Sequence, residues 1–181
     1  MSIIYYGVQI MLPVKNIDKY KSDKVVSFKK AIDIISKLKS KNKKVGLCHG
    51  GFDLLHAGHV KHFESAKKMC DVLIVGLAKD HFSKNKYPES GRPLYSQELR
   101  AFMISKLESV DYVFFDDGDV GIIEIIKPDV YFKGKDYADE TNPNIIMQKK
   151  MMESLGGKMI FTQDEKLSTT DIIKHIKEEV Q

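Results

Sequence analysis

The stretch His49–His59, HGGFDLLHAGH, packs three histidines, three glycines and one aspartate into eleven residues of an otherwise Lys- and Ile-rich chain. Its neighbours decide how it is read. Before it, KKVGLC reads as a short strand; after it, HVKHFESAKKM reads as a helix starting near Gly58. Strand, glycine-rich turn and helix start, in that order, make a βα unit of a parallel sheet. In such sheets ligands bind outside the carboxyl ends of the strands. The helix N-terminus there presents free N–H groups and a positive dipole end to an anion. Gly50 and Gly51 are expected to let the backbone turn and approach a ligand, and Gly58 to do the same at the helix start. His56 and His59 are three residues apart, so one helical turn brings both imidazoles to one face. There they can donate hydrogen bonds to a phosphate whose charge grows during reaction.

Three other readings compete. A zinc site from Asp53, His56 and His59 lacks a Cys pair or a third histidine at familiar spacing. A Walker-type loop would need GKS or GKT, and the chain has neither. A satisfied structural turn suits a lone histidine better than two histidines flanking a glycine at a βα junction.

Working outward, the same alternation continues. SFKKAIDIISKLKS places Phe28, Ala31, Ile32, Ile35 and Leu38 on one helical face, with Ser27 as N-cap. CDVLIVGLA is a continuous apolar run, as expected of a strand buried on both faces. KDHFSKNKYPESGRP reads as one long central loop, a place where function concentrates. Then come SQELRAFMISKLES (helix), DYVFF (strand), GIIEIIK (helix), DVYFKG (strand) and NPNIIMQKKMMESLGG, a helix stopped by Gly156–Gly157. KMIFT is the next strand and STTDIIKHIKEEV the last helix. About five such alternations imply an α/β fold, a Rossmann-like parallel sheet with helices on both faces. Residues 25–181 read as a single domain and 1–24 as an N-terminal extension, a strand or packed arm.

At 181 residues the chain can bury roughly 70% of its unfolded surface, so no disulfide or metal is needed to hold a core. Hydrophobic residues at 43% and charged residues at 30% are normal for a soluble globular protein. The net charge of +4, from 29 Lys+Arg against 25 Asp+Glu, is too small and scattered to argue for nucleic acid or a membrane. It suits an anionic small substrate. Cys48 and Cys70 provide no disulfide framework and read as small buried hydrophobes, in keeping with a reducing cytoplasm. The start, MSIIYYGVQIMLPVK, lacks the basic region and cleavage site of a signal peptide, and no apolar run approaches the roughly 20 residues of a membrane span. A soluble cytoplasmic protein is expected.

GGFDLLHAGH is similar to the G-x-F-D-x-x-H-x-G-H signature of the cytidylyltransferase-like nucleotidyltransferases, with the HxGH core at His56 to His59. Other pieces resemble that family in its own order. CDVLIVGLAKD resembles its second strand, GRPLYSQELR its R-P…E-x-R segment and SVDYVFF its V-D-x-V strand. KPDVYFKGKDY resembles its P-D…K-G-x-D-Y element and LSTTDII its closing S-T-T motif. The likeness runs from about Val25 to Ile176.

The resemblance implies a nucleotidyltransferase with no nucleophilic enzyme residue. A phosphate oxygen of the second substrate attacks the α-phosphate of an NTP in line, NMP is transferred and pyrophosphate leaves, with Mg²⁺ neutralising the phosphates. His56 and His59 take the catalytic roles, helped by a loop lysine for which Lys84 and Lys86 are the candidates, with Lys79 third. Gly50, Gly51, Phe52, Asp53 and Gly58 would bind nucleotide, as would Lys133, Gly134 and Asp136, which line the base and ribose side. Ser168, Thr169 and Thr170 would hold phosphate at a helix start, where Ser168 and Asp171 also form a capping-box-like pair. Arg92 and Arg100 match the family's substrate-side arginines, although Arg100 suits an ion pair bracing the fold equally well. No residue is assigned as a metal ligand.

Two branches of the family come close. Glycerol-3-phosphate cytidylyltransferases end in R-T-x-G-I-S-T-T and carry G-D-D-W, where this chain has Gln163 in place of the arginine and GKDY. Heptose-1-phosphate adenylyltransferases, often fused to a sugar kinase, carry K-G-G-D-Y and T-N-G-C-F-D, where this chain has KGKDY and CHGGFD. The second branch is nearer, so the expected substrates are ATP and a heptose-type sugar phosphate. The alternative is CTP with a glycerol, polyol or other sugar phosphate. A kinase making the acceptor would be a separate protein, and a homodimer is common in the family. A non-catalytic nucleotide sensor would show a damaged HxGH or lost loop lysines, and neither is seen. His49 is the odd histidine of the three, at the strand end where these relatives carry another residue.

Overall fold

The computed structural model describes residues 11–12, 14–86, 92–117, 121–138, 141–165 and 167–179. Five strands, β1 (Val45–Gly50), β2 (Val72–Ala78), β3 (Tyr112–Asp116), β4 (Val130–Gly134) and β5 (Lys158–Thr162), form one sheet in the order β3-β2-β1-β4-β5. Every pairing is parallel. The helices are α1 (Phe28–Lys39), α2 (Ala57–Lys67), α3 (Asp80–Lys86), α4 (Gln97–Ser105), α5 (Ile122–Ile126), α6 (Pro143–Ser154) and α7 (Thr169–Glu179). This is the doubly wound order 3-2-1-4-5, and its direction reverses between β1 and β4, where the crevice opens.

The sheet is buried on both sides, as the continuous apolar strands require. On one face Val45, Leu47, Ile74, Phe114 and Tyr131 pack against Ala31 and Ile35 of α1, Ile122, Ile123 and Ile126 of α5 and Met152 of α6. On the other, Cys48, Leu73, Val75, Val113 and Phe132 pack against Phe63 and Ala66 of α2 and Ala101 and Ile104 of α4. Alternate residues of β1 therefore serve opposite faces, Leu47 one and Cys48 the other. The expected face of α1 is present: Phe28, Ile32 and Leu38 flank Ala31 and Ile35, and the Ser27 hydroxyl accepts from Lys30 N at 3.2 Å.

One local reading changes. The long central loop begins as a helix, α3, with residues 87–91 outside the described residues. The segment before α1, expected as a strand or packed arm, packs on the edge of the sheet. Val25 bridges Val113 in parallel, Val113 N donates to Lys24 O at 2.8 Å, and Lys24 Nζ reaches the carbonyls of Leu107 and Val110 beyond α4. Tyr20 stacks edge-on to Phe102 at 5.2 Å, and Leu12 N donates to Leu94 O. Among the described residues no helix is long and apolar enough to cross a membrane.

Candidate active site

A cavity of about 300 Å³ opens at the carboxyl ends of the strands, over the β1/β4 switch point. The signature stretch forms its floor. β1 ends at Gly50, and the chain crosses Phe52 and Asp53 to enter α2 with His56 as its N-cap residue. His59 N and Val60 N both return to His56 O, which closes the first turn. That turn sets the two imidazoles on one face, where they stack with centroids 3.7 Å apart and planes 20° apart. Gly58 makes room for this: a Cβ there would lie 3.1 Å from His56 Nδ1 and Cε1. The Nδ1 atoms of both histidines are buried with no protein partner.

Burial holds these rings neutral. His59 is pushed down to about 3, first by desolvation and then by its proximity to His56 and His62, and desolvation also lowers His56. Two imidazolium rings in a stack at 3.7 Å would repel, so geometry and protonation state agree.

The left-handed position of the turn is Phe52, with φ 44°, and among the described residues only Gly156 is a glycine of positive φ. The expected backbone turn at Gly50 and Gly51 is therefore corrected: neither has a positive φ, and Gly50 acts by lacking a side chain. A Cβ on Gly50 would meet the Phe52 ring at 3.2 Å. That ring is held edge-on to His59 at 5.3 Å and against Phe63 at 5.0 Å, which repays the backbone strain at Phe52 by fixing the imidazole. Asp53 Oδ1 accepts from Leu94 N at 2.8 Å and Tyr95 N at 3.2 Å, so this carboxylate ties the motif to the chain after Arg92. Its Oδ2 is buried and unpartnered.

The other walls come from distant parts of the sequence. β4 and the turn after it supply Lys133, Gly134 and Asp136, and Lys133 Nζ sits over the rings of Tyr131 and Tyr137 at 5.0 and 5.2 Å. The start of α7 supplies Ser168, Thr169 and Thr170. The capping box is formed: Ser168 Oγ donates to Asp171 Oδ2 at 2.6 Å and accepts from Asp171 N at 3.1 Å. Arg92 Nη2 donates to Thr170 Oγ1 at 3.1 Å across the mouth. His62, Thr162 and Asp164 had no marker in the sequence, yet they line the same wall, with His62 Nδ1 2.8 Å from Thr162 Oγ1 and Ser65 Oγ donating to Asp164 Oδ1. Only their place at the end of β5 and on the inward face of α2 brings them there.

Of the two readings open for Arg100, the structure corrects the substrate contact and fits the brace: the side chain is fully buried and lies outside the cavity lining. Its Nε donates to Tyr95 O, Nη1 to Gly51 O, and Nη2 to Ala78 O and Asp80 Oδ1. A guanidinium fork satisfies three carbonyls that end β2 and flank the motif, which a substrate-facing side chain could not do. Lys84 is exposed on α3 and does not line the cavity, while the side chain of Lys86 falls outside the described residues. Lys79 is paired with Asp117 at 2.9 Å. Both cysteines are free thiols, Cys48 raised by burial and Cys70 pushed up to about 11 by burial first. Among the described residues no three His, Cys, Asp or Glu side chains converge to hold a metal ion.

A parallel sheet of this order with an HxGH turn at its switch point defines a nucleotide-binding α/β protein. Residues 47–175 match the cytidylyltransferase-like family, and the chain belongs to it. In particular, it is 38% identical over 158 residues to the bifunctional protein HldE of Aliarcobacter butzleri and 39% identical over 146 residues to that of Geobacter metallireducens. These alignments cover 85% and 79% of this chain but 31% and 29% of those proteins. The chain thus spans about a third of the length of the relatives it matches. The lipopolysaccharide core biosynthesis protein of Thermoplasma volcanium superposes with a TM-score of 0.56 at 26% identity, covering 68% of this chain and 99% of that one. Pantoate-beta-alanine ligase of Francisella tularensis, at 18% identity and a TM-score of 0.54, shares the fold.

Proposed function

We propose that this chain transfers NMP from an NTP to a sugar phosphate and releases pyrophosphate, with ATP as donor and a heptose-type 1-phosphate as acceptor. The observation that carries this reading is the stacked His56–His59 pair at the start of α2, neutral by burial and opening onto a cavity that also holds Arg92, Lys133 and the hydroxyls of Ser168, Thr169 and Thr170 beside the carboxylates of Asp136 and Asp164. A family match over 47–175 and relatives named bifunctional protein HldE support the reaction class, and the likeness of KGKDY to the heptose-1-phosphate adenylyltransferase branch supports the acceptor class.

The chemistry needs positioning and charge stabilisation more than covalent help. The start of α2 and its imidazoles face the triphosphate, donating to oxygens as charge builds at the α-phosphorus. Ser168, Thr169 and Thr170 hold phosphate oxygens at the second helix start, and Arg92, already bonded to Thr170, closes over them. Lys133, Gly134 and Asp136 form the wall against the nucleoside. A divalent cation such as Mg²⁺ fits this donor set as a passenger of the triphosphate, because Asp164 keeps one buried, unpartnered carboxylate oxygen in the wall and no all-protein cage is needed. When bound it neutralises phosphate charge.

The test is pyrophosphate release with each NTP crossed with heptose 1-phosphate, glycerol 3-phosphate and a panel of sugar and polyol phosphates. Release with ATP and a sugar 1-phosphate is the expected result. Preference for CTP would overturn the nucleotide assignment, and no release with any pair would overturn the reaction.

A further inference from the structure

His49 is the histidine that the signature does not use. In β1 it alternates with Cys48, so it points to the face of α1 and α5, while α2 and its imidazoles lie on the other face. Its side chain is only 11% exposed, and its Nε2 stands 2.5 Å from Oδ2 of Asp116, itself 6% exposed at the carboxyl end of β3. The two atoms stand at ion-pair distance, the ring carrying charge only when protonated. β1 and β3 are not neighbours: β2 lies between them. Two side chains can meet across a strand only if the strand is bare at the crossing, and there β2 carries Gly76, the register partner of His49. A Cβ on Gly76 would lie 3.0 Å from both His49 Cδ2 and the core Phe114 Cζ, and 3.3 Å from Asp116 Oδ2. Glycine inside a buried strand weakens it and marks a close approach, and here the pair and the Phe114 ring make it together.

The pair is aimed at the cavity. His49 lines it together with Gly50, Gly51, Phe82 and Ser83, and a Cβ on Gly51 would be 3.5 Å from Ser83 Oγ. With Nε2 turned to Asp116, Nδ1 is the ring nitrogen left for the cavity side; it is absent from the buried unpartnered atoms and makes no hydrogen bond to described residues. An in-line displacement needs its nucleophile opposite its leaving group. The starts of α2 and α7 hold the triphosphate on one side, which leaves the His49 side for the incoming phosphate.

Resting on the reaction proposed above, we infer that His49, positioned by Asp116 across Gly76, binds the acceptor phosphate and sets the affinity for the second substrate. Asp116 acts through the ring, and Gly76 provides the passage.

The experiment measures KM for each substrate separately, using ATP and heptose 1-phosphate, with His49→Asn, His49→Phe and Asp116→Asn. Both His49 variants are expected to raise acceptor KM at least tenfold, and Asp116→Asn severalfold, with NTP KM changed less than twofold. A purely structural role would move both KM values together, and that result, or an unchanged acceptor KM, overturns the inference. In parallel, the His49 imidazole C–H resonance of the wild-type protein is followed by NMR during titration with inorganic phosphate. A saturable shift is expected, the resonance being assigned as the one missing from the spectrum of His49→Asn. If no substrate pair releases pyrophosphate but this shift persists, the reaction falls and the anion site stands; if the resonance does not move, the site falls as well.

Discussion

Replacing Arg100 by methionine tests the architecture under the motif. Methionine keeps the apolar stem but lacks the guanidinium and all five donors. Three backbone carbonyls, that of Ala78 buried and those of Gly51 and Tyr95 partly so, then lose their partner, and Asp80 loses its cation. A buried acceptor left unpaired costs about 1 kcal/mol or more, so the carbonyls alone give about 2–3 kcal/mol, and the void left by the guanidinium adds to it. Asp80 is partly exposed, which limits its share to about 1 kcal/mol. The expected loss is thus about 3–5 kcal/mol, in the range for breaking a buried pair. For a domain of this size each kcal/mol shifts Tm by about 2–4 °C, so a drop of roughly 6–20 °C is expected in thermal unfolding. Arg100→Lys retains the charge but not the fork and should recover less than half of the loss. Unfolding of either variant within 2 °C of wild type would refute the bracing role. A stable Arg100→Lys protein whose acceptor KM alone rises would return Arg100 to the substrate.

His59→Ala should keep its fold by circular dichroism and lose roughly 10²–10³-fold in turnover, the scale for removing one preorganised donor from a charge-stabilising site; near-normal turnover would take the motif out of the mechanism. Because burial lowers the folded-state value of His59 to about 3 from 6.5, the unfolded chain binds a proton between those limits that the folded chain does not. Stability is therefore complete above pH 6.5 and falls as pH drops toward 3, with His56 and His62 lowered in the same direction, and urea midpoints of His59→Ala should be flatter over that window. An unchanged slope would count against burial as the cause. Ser168→Ala removes the cap of α7, with an expected cost of about 1 kcal/mol and a severalfold rise in NTP KM but not in acceptor KM. Lys24→Met strands the carbonyls of Leu107 and Val110 and should lower the unfolding free energy by about 1–2 kcal/mol, read as a lower urea midpoint, whereas an unchanged midpoint would make the segment before α1 an appendage.

The parts of this fold that were legible share one property: their signal is local. VLIVGLA announces a doubly covered strand through its own composition, and SFKKAIDIISKLK announces α1 through its own periodicity and cap. His56, Gly58 and His59 were legible because one helical turn contains them. Arg100 was legible only as two equal readings, because an arginine on a helix looks the same whether it reaches outward to substrate or inward to three carbonyls. Only the ends of β1 and β2 meeting beneath α4 decide it. α3 was hidden because DHFSKNK is polar and short, and its one buried contact to the motif is Ser83 beside Gly51.

His49, Gly76 and Asp116 show why such sites escape local reading. They lie in three different strands, and nothing in HGGFD, VLIVGLA or YVFFD alone marks them as a group. What joins them is the order β3-β2-β1 combined with the two-residue period of each strand. His49 shares the α1/α5 face with Leu47, Gly76 with Ile74, and Asp116 with Phe114, so the pair closes above the apolar core and directly below the cavity. The same period puts Cys48, and with it α2, on the opposite face. One strand thereby separates the two sides that an in-line transfer needs: α2 with its imidazoles on the triphosphate, and His49 on the group that attacks it. Gly76→Ala probes that geometry without touching either histidine. The added methyl pushes His49 from Asp116, so acceptor KM should rise as in Asp116→Asn while the His56–His59 stack keeps its affinity for NTP. Equal losses for both substrates would show that the two faces do not act separately.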